Sequence, residues 1–201
     1  IILIVVGVLI FFGAAQRVLD RLYLSDNLAL FVIAAIIAGS FFSIPISRQP
    51  LININIGGAL IPIILVIYVL SKTGSSKELI RTLIATAFTA GAIYAVTIIF
   101  RNFGEGRDII DPMYLFALTG GIFAYIFGHT RRGAFIAGTL GYISYEMINV
   151  FKLLTGRINT EIRLGGAGVF DSIVISGIFA VLLVEIVGET RERLFKDNQE
   201  G

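Results

Sequence analysis

Apolar residues of this chain fall into seven blocks separated by short charged breaks, covering residues 1–15, 27–46, 52–70, 79–100, 110–128, 133–154 and 164–187. A helix of about 20 apolar residues crosses the hydrocarbon layer of a bilayer. Because lipid offers no hydrogen-bond partners, the backbone polar groups of a spanning segment must pair internally, which favours helices. The pattern therefore predicts an all-α fold, a polytopic transmembrane helical bundle with about seven spans.

The first block, 1–15, is the shortest, and two interpretations stay open: a clipped span or the core of a signal segment. The chain begins at Ile1 rather than Met, so residues are expected to be missing before it. We expect one transmembrane domain over 1–190 and a polar cytoplasmic tail over 191–201.

Composition supports a membrane protein and excludes several kinds of chemistry. The chain is 56% hydrophobic and 15% charged, whereas soluble domains have about 25% charged residues. A net charge of +2 without a basic run argues against nucleic acid as a partner. There is no Cys, and the single His129 has no carboxylate beside it. We therefore predict no metal site and no cofactor, and the lipid bilayer as the main partner.

Basic residues in the breaks predict the orientation, because cytoplasmic loops carry more Lys and Arg. Ten lie on one side of the predicted membrane: Arg17, Arg21, Lys72, Lys77, Arg81, Arg131, Arg132, Arg191, Arg193 and Lys196. Six lie on the other: Arg48, Arg101, Arg107, Lys152, Arg157 and Arg163. This bias places the C-terminus in the cytoplasm.

A short repeat links the third and seventh blocks. Ile-Gly-Gly-Ala occurs at 56–59 and Leu-Gly-Gly-Ala at 164–167. If the repeat reflects architecture, the chain is a 3+1+3 arrangement of two parallel three-helix units, as in small sugar transporters of the SWEET type. The alternative is that glycines recur because they let membrane helices pack closely.

Two acids, Glu146 and Asp171, lie inside apolar blocks, where a charge is costly and an acid is by default a functional candidate. At about 1.5 Å per residue, both are expected at a similar depth on neighbouring antiparallel helices. Two close carboxyls in a low-dielectric site cannot both ionise cheaply, so they tend to share a proton. One could then activate water while the other protonates a carbonyl. A proton or cation site in a transporter, or an acid bound to nearby hydroxyls, remains open.

Three segments carry a resemblance over most of the chain: 51–70, 138–154 and 165–186. Together they resemble a family of prokaryotic integral membrane proteins of unknown function. This resemblance implies a compact polytopic protein of the prokaryotic cell membrane and supplies no activity.

A local resemblance suggests chemistry. The segment around Tyr145-Glu146 is similar to the YD helix of signal peptide peptidase and presenilin, and Gly166–Asp171 is similar to their GxGD helix. These families are intramembrane aspartyl proteases, so the resemblance implies a catalytic pair of Asp171 and Glu146. Independently of the resemblance, Gly165, Gly166 and Gly168 just before Asp171 would loosen the start of the helix, and with Tyr145 they are the candidate substrate-binding edge for an extended peptide. Tight helix packing is the alternative explanation of the same glycines.

The sequence departs from the aspartyl-protease pattern at three points. One is that no later helix supplies the PAL motif of these families, part of which occurs instead in the third block, at Gly58–Pro62. The other two lie at the acids. The first acid is Glu146 rather than Asp, and Val169 and Phe170 separate Gly168 from Asp171. The leading hypothesis is a peptidase acting on single-span membrane proteins. A small-solute or proton-coupled transporter and a non-enzymatic scaffold are the alternatives.

Overall fold

The computed structural model describes residues 13, 16–19, 22, 24–72, 75–101, 112–128, 130–158 and 160–200. Its helices are α1 (Asp26–Gly39), α2 (Ile61–Ser71), α3 (Ser76–Arg101), α4 (Pro112–Gly128), α5 (Arg131–Leu154) and α6 (Ser172–Glu200). A π-helix (Ile56–Leu60) leads into α2, and a 3-10 turn (Gly168–Phe170) precedes α6. The mostly helical fold is confirmed. The predicted span 1–15 lies outside the described residues except for Gly13.

A three-stranded sheet interrupts the helices, and here the prediction of helices over the whole second and third blocks is wrong. The strands are β1 (Ser43–Arg48), β2 (Leu51–Asn55) and β3 (Ile162–Leu164), in the order β1-β2-β3. Strand β2 alternates apolar and polar residues over Ile-Asn-Ile-Asn, which is a strand period and not a helical one. The prediction of a helix followed from the high apolar content of the block, and the alternation within it was not taken into account.

The sheet joins parts of the chain that are far apart in sequence. β1 and β2 form an antiparallel hairpin through Gln49-Pro50, with Ser43 opposite Asn55 and a bulge between Pro45 and Ser47. β3 pairs in parallel with β2, placing Ile52 opposite Ile162. As a result, the segments that follow β2 and β3 leave the sheet side by side.

Helices α3 to α6 form a bundle in which α5 contacts each of the other three. Small residues allow the close approach: Gly141 of α5 lies against Thr89 of α3, and Gly138 lies against Ser176 and Gly177 of α6. Ser176 also donates a hydrogen bond to the Gly138 carbonyl at 3.1 Å. Helices α1 and α2 pack against one side of this bundle through an apolar cluster that includes Leu65, Val66, Phe135 and Ile178.

Besides its buried apolar core, the helical part has two features that are unusual in a soluble protein. Small hydroxyl side chains are buried: Thr82, Thr86, Thr89, Thr139, Ser172 and Ser176. Large apolar side chains are exposed on every helix, among them Phe31, Ile67, Ile80, Phe88, Ile122, Phe151 and Ile186. Among the described residues, one helical stretch is long and apolar enough to cross a membrane, Ser76–Ile99, with a mean hydropathy of 1.8.

Candidate functional site

Asp171 is the N-cap of α6. Its backbone is extended, and its carboxylate accepts hydrogen bonds from the Ile173 amide at 3.0 Å and the Ala167 amide at 3.2 Å. An Asp in this position satisfies amides that the first helical turn leaves free, and the positive end of the helix favours the charged carboxylate. Asp171 is 8% exposed. Its buried position is therefore stabilised by backbone donors rather than by a cation.

The prediction that Asp171 lies about seven residues inside a helix is wrong, since α6 begins only at Ser172. Gly165 and Gly168 have φ values of +68° and +63°, in the left-handed region that glycine adopts without steric cost. These two positions break the helical pattern before the acid. The apolar block therefore combines the end of β3, a turn and a helix.

Helix α5 brings Glu146 to the same place. The Glu146 carboxyl is close enough to interact electrostatically with that of Asp171. Tyr142 is hydrogen-bonded through its hydroxyl to Ser172 and also interacts electrostatically with both acids. In the part of the chain that the structure describes, Glu146 forms no hydrogen bond, and its side chain is half-buried. The two acids therefore meet in one cluster but have different surroundings.

Tyr145 lies beside this cluster in the apolar core. Its ring packs edge-on to Tyr142, with centroids 5.6 Å apart, and lies 6.2 Å from the ring of Phe116 on α4. Ile52 and Ile173 belong to the same apolar cluster. Tyr145 therefore anchors α5 against its neighbours at the level of the acids.

The predicted substrate-binding glycines pack against other parts of the chain. A Cβ on Gly165 would overlap the backbone of Gly58 and Ala59, and a Cβ on Gly168 would come within 2.6 Å of the Ser40 side chain. Gly166 lies against Arg163, with 3.0 Å between its would-be Cβ and that of Arg163. Close packing, the alternative left open by the sequence, accounts for Gly165 and Gly168.

These contacts place the two Gly-Gly-Ala segments of the sequence repeat against each other. Gly58 belongs to the first copy and Gly165 to the second, and neither has room for a side chain because of the other. Each copy follows one of the two parallel strands and precedes a helix. We call this meeting point, made by Gly57, Gly58, Gly165, Gly168 and Ser40, the glycine junction.

Asn55 is the residue at the junction that the sequence analysis missed. It is buried, its Oδ1 accepts from the Gly58 amide at 2.8 Å, and its Nδ2 donates to the carbonyls of Ser40 at 2.8 Å and Phe42 at 3.1 Å. A buried amide needs several partners, and Asn55 finds them on two segments, the stretch after α1 and the start of the π-helix. The signal was an Asn at the end of the strand pattern, directly before the long apolar run that starts at Ile56, which is a helix-start pattern.

The family of the chain follows from a comparison with known proteins. A family model described as "Protein of unknown function (DUF1614)" matches residues 31–183. The chain belongs to the DUF1614 family. The predicted membership of a family of unknown function is thus confirmed, and the matched range includes both acids and the glycine junction. No curated protein and no solved structure matches the chain.

Within the described residues of this DUF1614 protein, no three His, Cys, Asp or Glu side chains lie close enough together to hold a metal ion. The donors around the two acids are instead amides and hydroxyls. Amide and hydroxyl donors of this kind can orient carboxyl groups and water for proton transfer.

Proposed function

We propose that this protein is a polytopic membrane protein with about seven spans, in which α3 to α6 cross the bilayer. Two observations support this proposal: large apolar side chains are exposed on every helix, and several Thr and Ser side chains are buried between the helices. An exposed apolar surface of this extent needs lipid or a partner to cover it. Only 33% of the apolar window of Ser76–Ile99 is buried inside the protein, so most of that window is available to lipid.

Within this membrane domain, Glu146 and Asp171 form a hydrolytic pair of the aspartyl-protease type, acting on single-span membrane proteins. The observation that supports the proposal is that Glu146 lies near enough to Asp171 to interact with it electrostatically, and that only Asp171 has amide donors. Because those donors stabilise the charged form, Asp171 is the carboxylate of the pair. Glu146, which lacks them, holds the shared proton.

The reaction follows from these roles. Asp171 takes a proton from water as the water oxygen attacks the scissile carbonyl carbon, and Glu146 gives its proton to the carbonyl oxygen. Asp171 then protonates the leaving nitrogen while Glu146 recovers a proton from the diol, and the C–N bond breaks. Both acids return to their starting states, and one water is consumed for each peptide bond.

Two isosteric substitutions test the pair. Asp171→Asn keeps an N-cap side chain, and Glu146→Gln keeps the volume of the half-buried group, so both variants are expected to fold. Each should abolish cleavage of a single-span reporter in liposomes containing the purified protein. Glu161→Gln, which changes an exposed acid on the sheet, is the matched control and should cleave normally. Activity surviving in either acid variant would rule out the pair.

Proton-coupled or small-solute transport is the second candidate, supported by the glycine junction between the two repeat copies. Beside it lies a cavity of about 30 Å³ lined by α1, α2, α5 and α6, including Ile36, Leu65, Thr139 and Val174. The buried Thr139 hydroxyl has no hydrogen-bond partner among the described residues. A 3+1+3 transporter would bind its cargo at this boundary. Proton uptake into liposomes that is lost in Glu146→Gln would favour transport; a protein inactive in both assays would be a scaffold.

A further inference from the structure

An open groove of about 390 Å³ runs along the outer face of the bundle between α3 and α4. Lys77, Ile80, Arg81 and Ile84 of α3 form one wall, and Phe127 of α4 forms the other. Lys77 and Arg81 are four residues apart, so their side chains lie on the same helix face, one turn from each other. Two positive charges therefore share one end of the groove.

The rest of the groove is apolar. Ile80 and Ile84 are more than half exposed, at 58% and 51%. The Phe127 ring stacks on Phe88 of α3, with centroids 4.5 Å apart and the planes 5° from parallel. The groove thus changes from cationic to apolar along α3, toward the middle of its apolar stretch.

The nearby acid does not neutralise the two cations. Glu78 lies between them in sequence but is directed to α5, where its carboxylate is 3.9 Å from Arg132 and accepts a hydrogen bond from Thr130 at 3.4 Å. In the ranges that the structure describes, neither Lys77 nor Arg81 forms an ion pair. Their charges are available to a ligand.

We propose that this groove binds one anionic phospholipid, with its phosphate on Lys77 and Arg81 and an acyl chain along Ile84 and Phe127. The charges lie at the start of the helix that is long enough to span, which is where headgroups meet a membrane protein. A free anion would use the two cations and leave the apolar wall uncovered. The assignment rests on the membrane placement of the proposed function and not on its hydrolytic activity.

The test is the thermal stability of the full chain in detergent micelles titrated with phosphatidylglycerol, phosphatidylcholine or inorganic phosphate. Phosphatidylglycerol should raise Tm, because a ligand that binds only the folded protein stabilises it. In the double variant Lys77→Gln/Arg81→Gln, the concentration needed for the same rise should increase roughly tenfold or more, since each basic residue adds a several-fold factor to anionic-lipid binding. Both residues are exposed, so Tm without lipid should be unchanged.

Arg48→Gln/Arg157→Gln is the matched control, because it removes the same charge from exposed sites on the sheet and after α5. This control should respond like the wild type. Ile84→Ser should weaken the phosphatidylglycerol response and leave any phosphate response unaltered. The assignment is overturned if phosphatidylcholine or phosphate alone gives the same rise, or if the control loses the response equally. Release of the protein from membranes by an alkaline wash would contradict the membrane placement, whereas failed reporter cleavage would leave this lipid response intact.

Discussion

The helical bundle and the glycine junction are built on different principles. In the bundle, the helices approach through side chains: small hydroxyl residues and part of the large apolar residues are buried, other large apolar residues are exposed, and glycines such as Gly138 and Gly141 lie at the contacts. At the junction, backbone meets backbone, and the constraint is the absence of side chains at Gly58 and Gly165. Hydropathy therefore describes the bundle well, whereas the junction depends on backbone geometry that hydropathy does not contain.

The largest effect is expected at Gly165. Gly165→Ala would place a methyl group inside the Gly58 backbone and would also strain a φ of +68°. A cost of about 3 kcal/mol or more in the free energy of unfolding is expected for such overpacking with strain. Denaturation of the protein in detergent would measure it.

Gly91→Ala is the control for that substitution. Gly91 lies in α3 with nothing within 4 Å of its would-be Cβ. Alanine there should stabilise the helix by about 0.5–1 kcal/mol. A similar loss of stability at both glycines would contradict the distinction between bundle and junction.

Asn55 carries the next largest effect. Asn55→Ala would leave the Gly58 amide and the Ser40 and Phe42 carbonyls without their partner. A cost of about 2–3 kcal/mol is expected, because each buried group left unpaired carries a penalty. Asn55→Asp keeps the acceptor for Gly58 and loses both donated bonds, so it should also destabilise; stability equal to the wild type in either variant would refute the role of Asn55.

Substitutions of Asp171, the N-cap of α6, should change the stability of the protein less than its activity. Asp171→Ala removes both amide contacts and should cost about 1 kcal/mol, as N-cap removal does. Asp171→Asn keeps one acceptor oxygen for the two amides, so it should lose less stability than Asp171→Ala in thermal unfolding and should be inactive in cleavage. If the two variants lose stability equally, the carboxylate does more than cap the helix.

The smallest effect on stability is expected for Glu161→Gln, next to the exposed strand β3. Hydrogen bonds from Arg163 at 2.6 and 3.0 Å lower the pKa of Glu161, and Asn53 of β2 adds a further bond at 3.0 Å. A lowered folded-state pKa gives stability that is present above the unfolded pKa of about 4.3 and lost as pH falls through the folded value. Glu161→Gln should therefore be slightly less stable at pH 7 and equal to the wild type in strong acid. A difference that grows on acidification would have the wrong sign.

The sequence predicts the helices of the bundle closely, but it does not predict the structure of residues 164–171, which lead to Asp171. Both ends of the predicted segments 79–100, 110–128 and 133–154 lie within three residues of the ends of α3, α4 and α5, because long apolar runs bounded by charged residues favour helices. The seventh span was predicted from residue 164, and α6 begins at Ser172. A hydropathy pattern includes glycine in an apolar block. The positive φ values of Gly165 and Gly168, however, are incompatible with a helix over these residues, so the helix begins after them.

The proximity of Glu146 and Asp171 was predicted from matched depth on neighbouring helices. The two acids do interact electrostatically, but Asp171 lies just before α6 and not within it. Their different surroundings could not be predicted, because the amide donors of Asp171 depend on where α6 begins. Asn55 was missed for a similar reason. Its partners at Ser40 and Phe42 come from a hairpin that a purely helical prediction does not contain.

The most direct measurement of the central proposal is cleavage of a single-span reporter in liposomes prepared in ¹⁸O-labelled water, read by mass spectrometry. The wild type should yield a product with one ¹⁸O in its new carboxyl group, and neither Glu146→Gln nor Asp171→Asn should yield any. Intact reporter with the folded wild type, or labelled product from either variant, would contradict the hydrolytic pair.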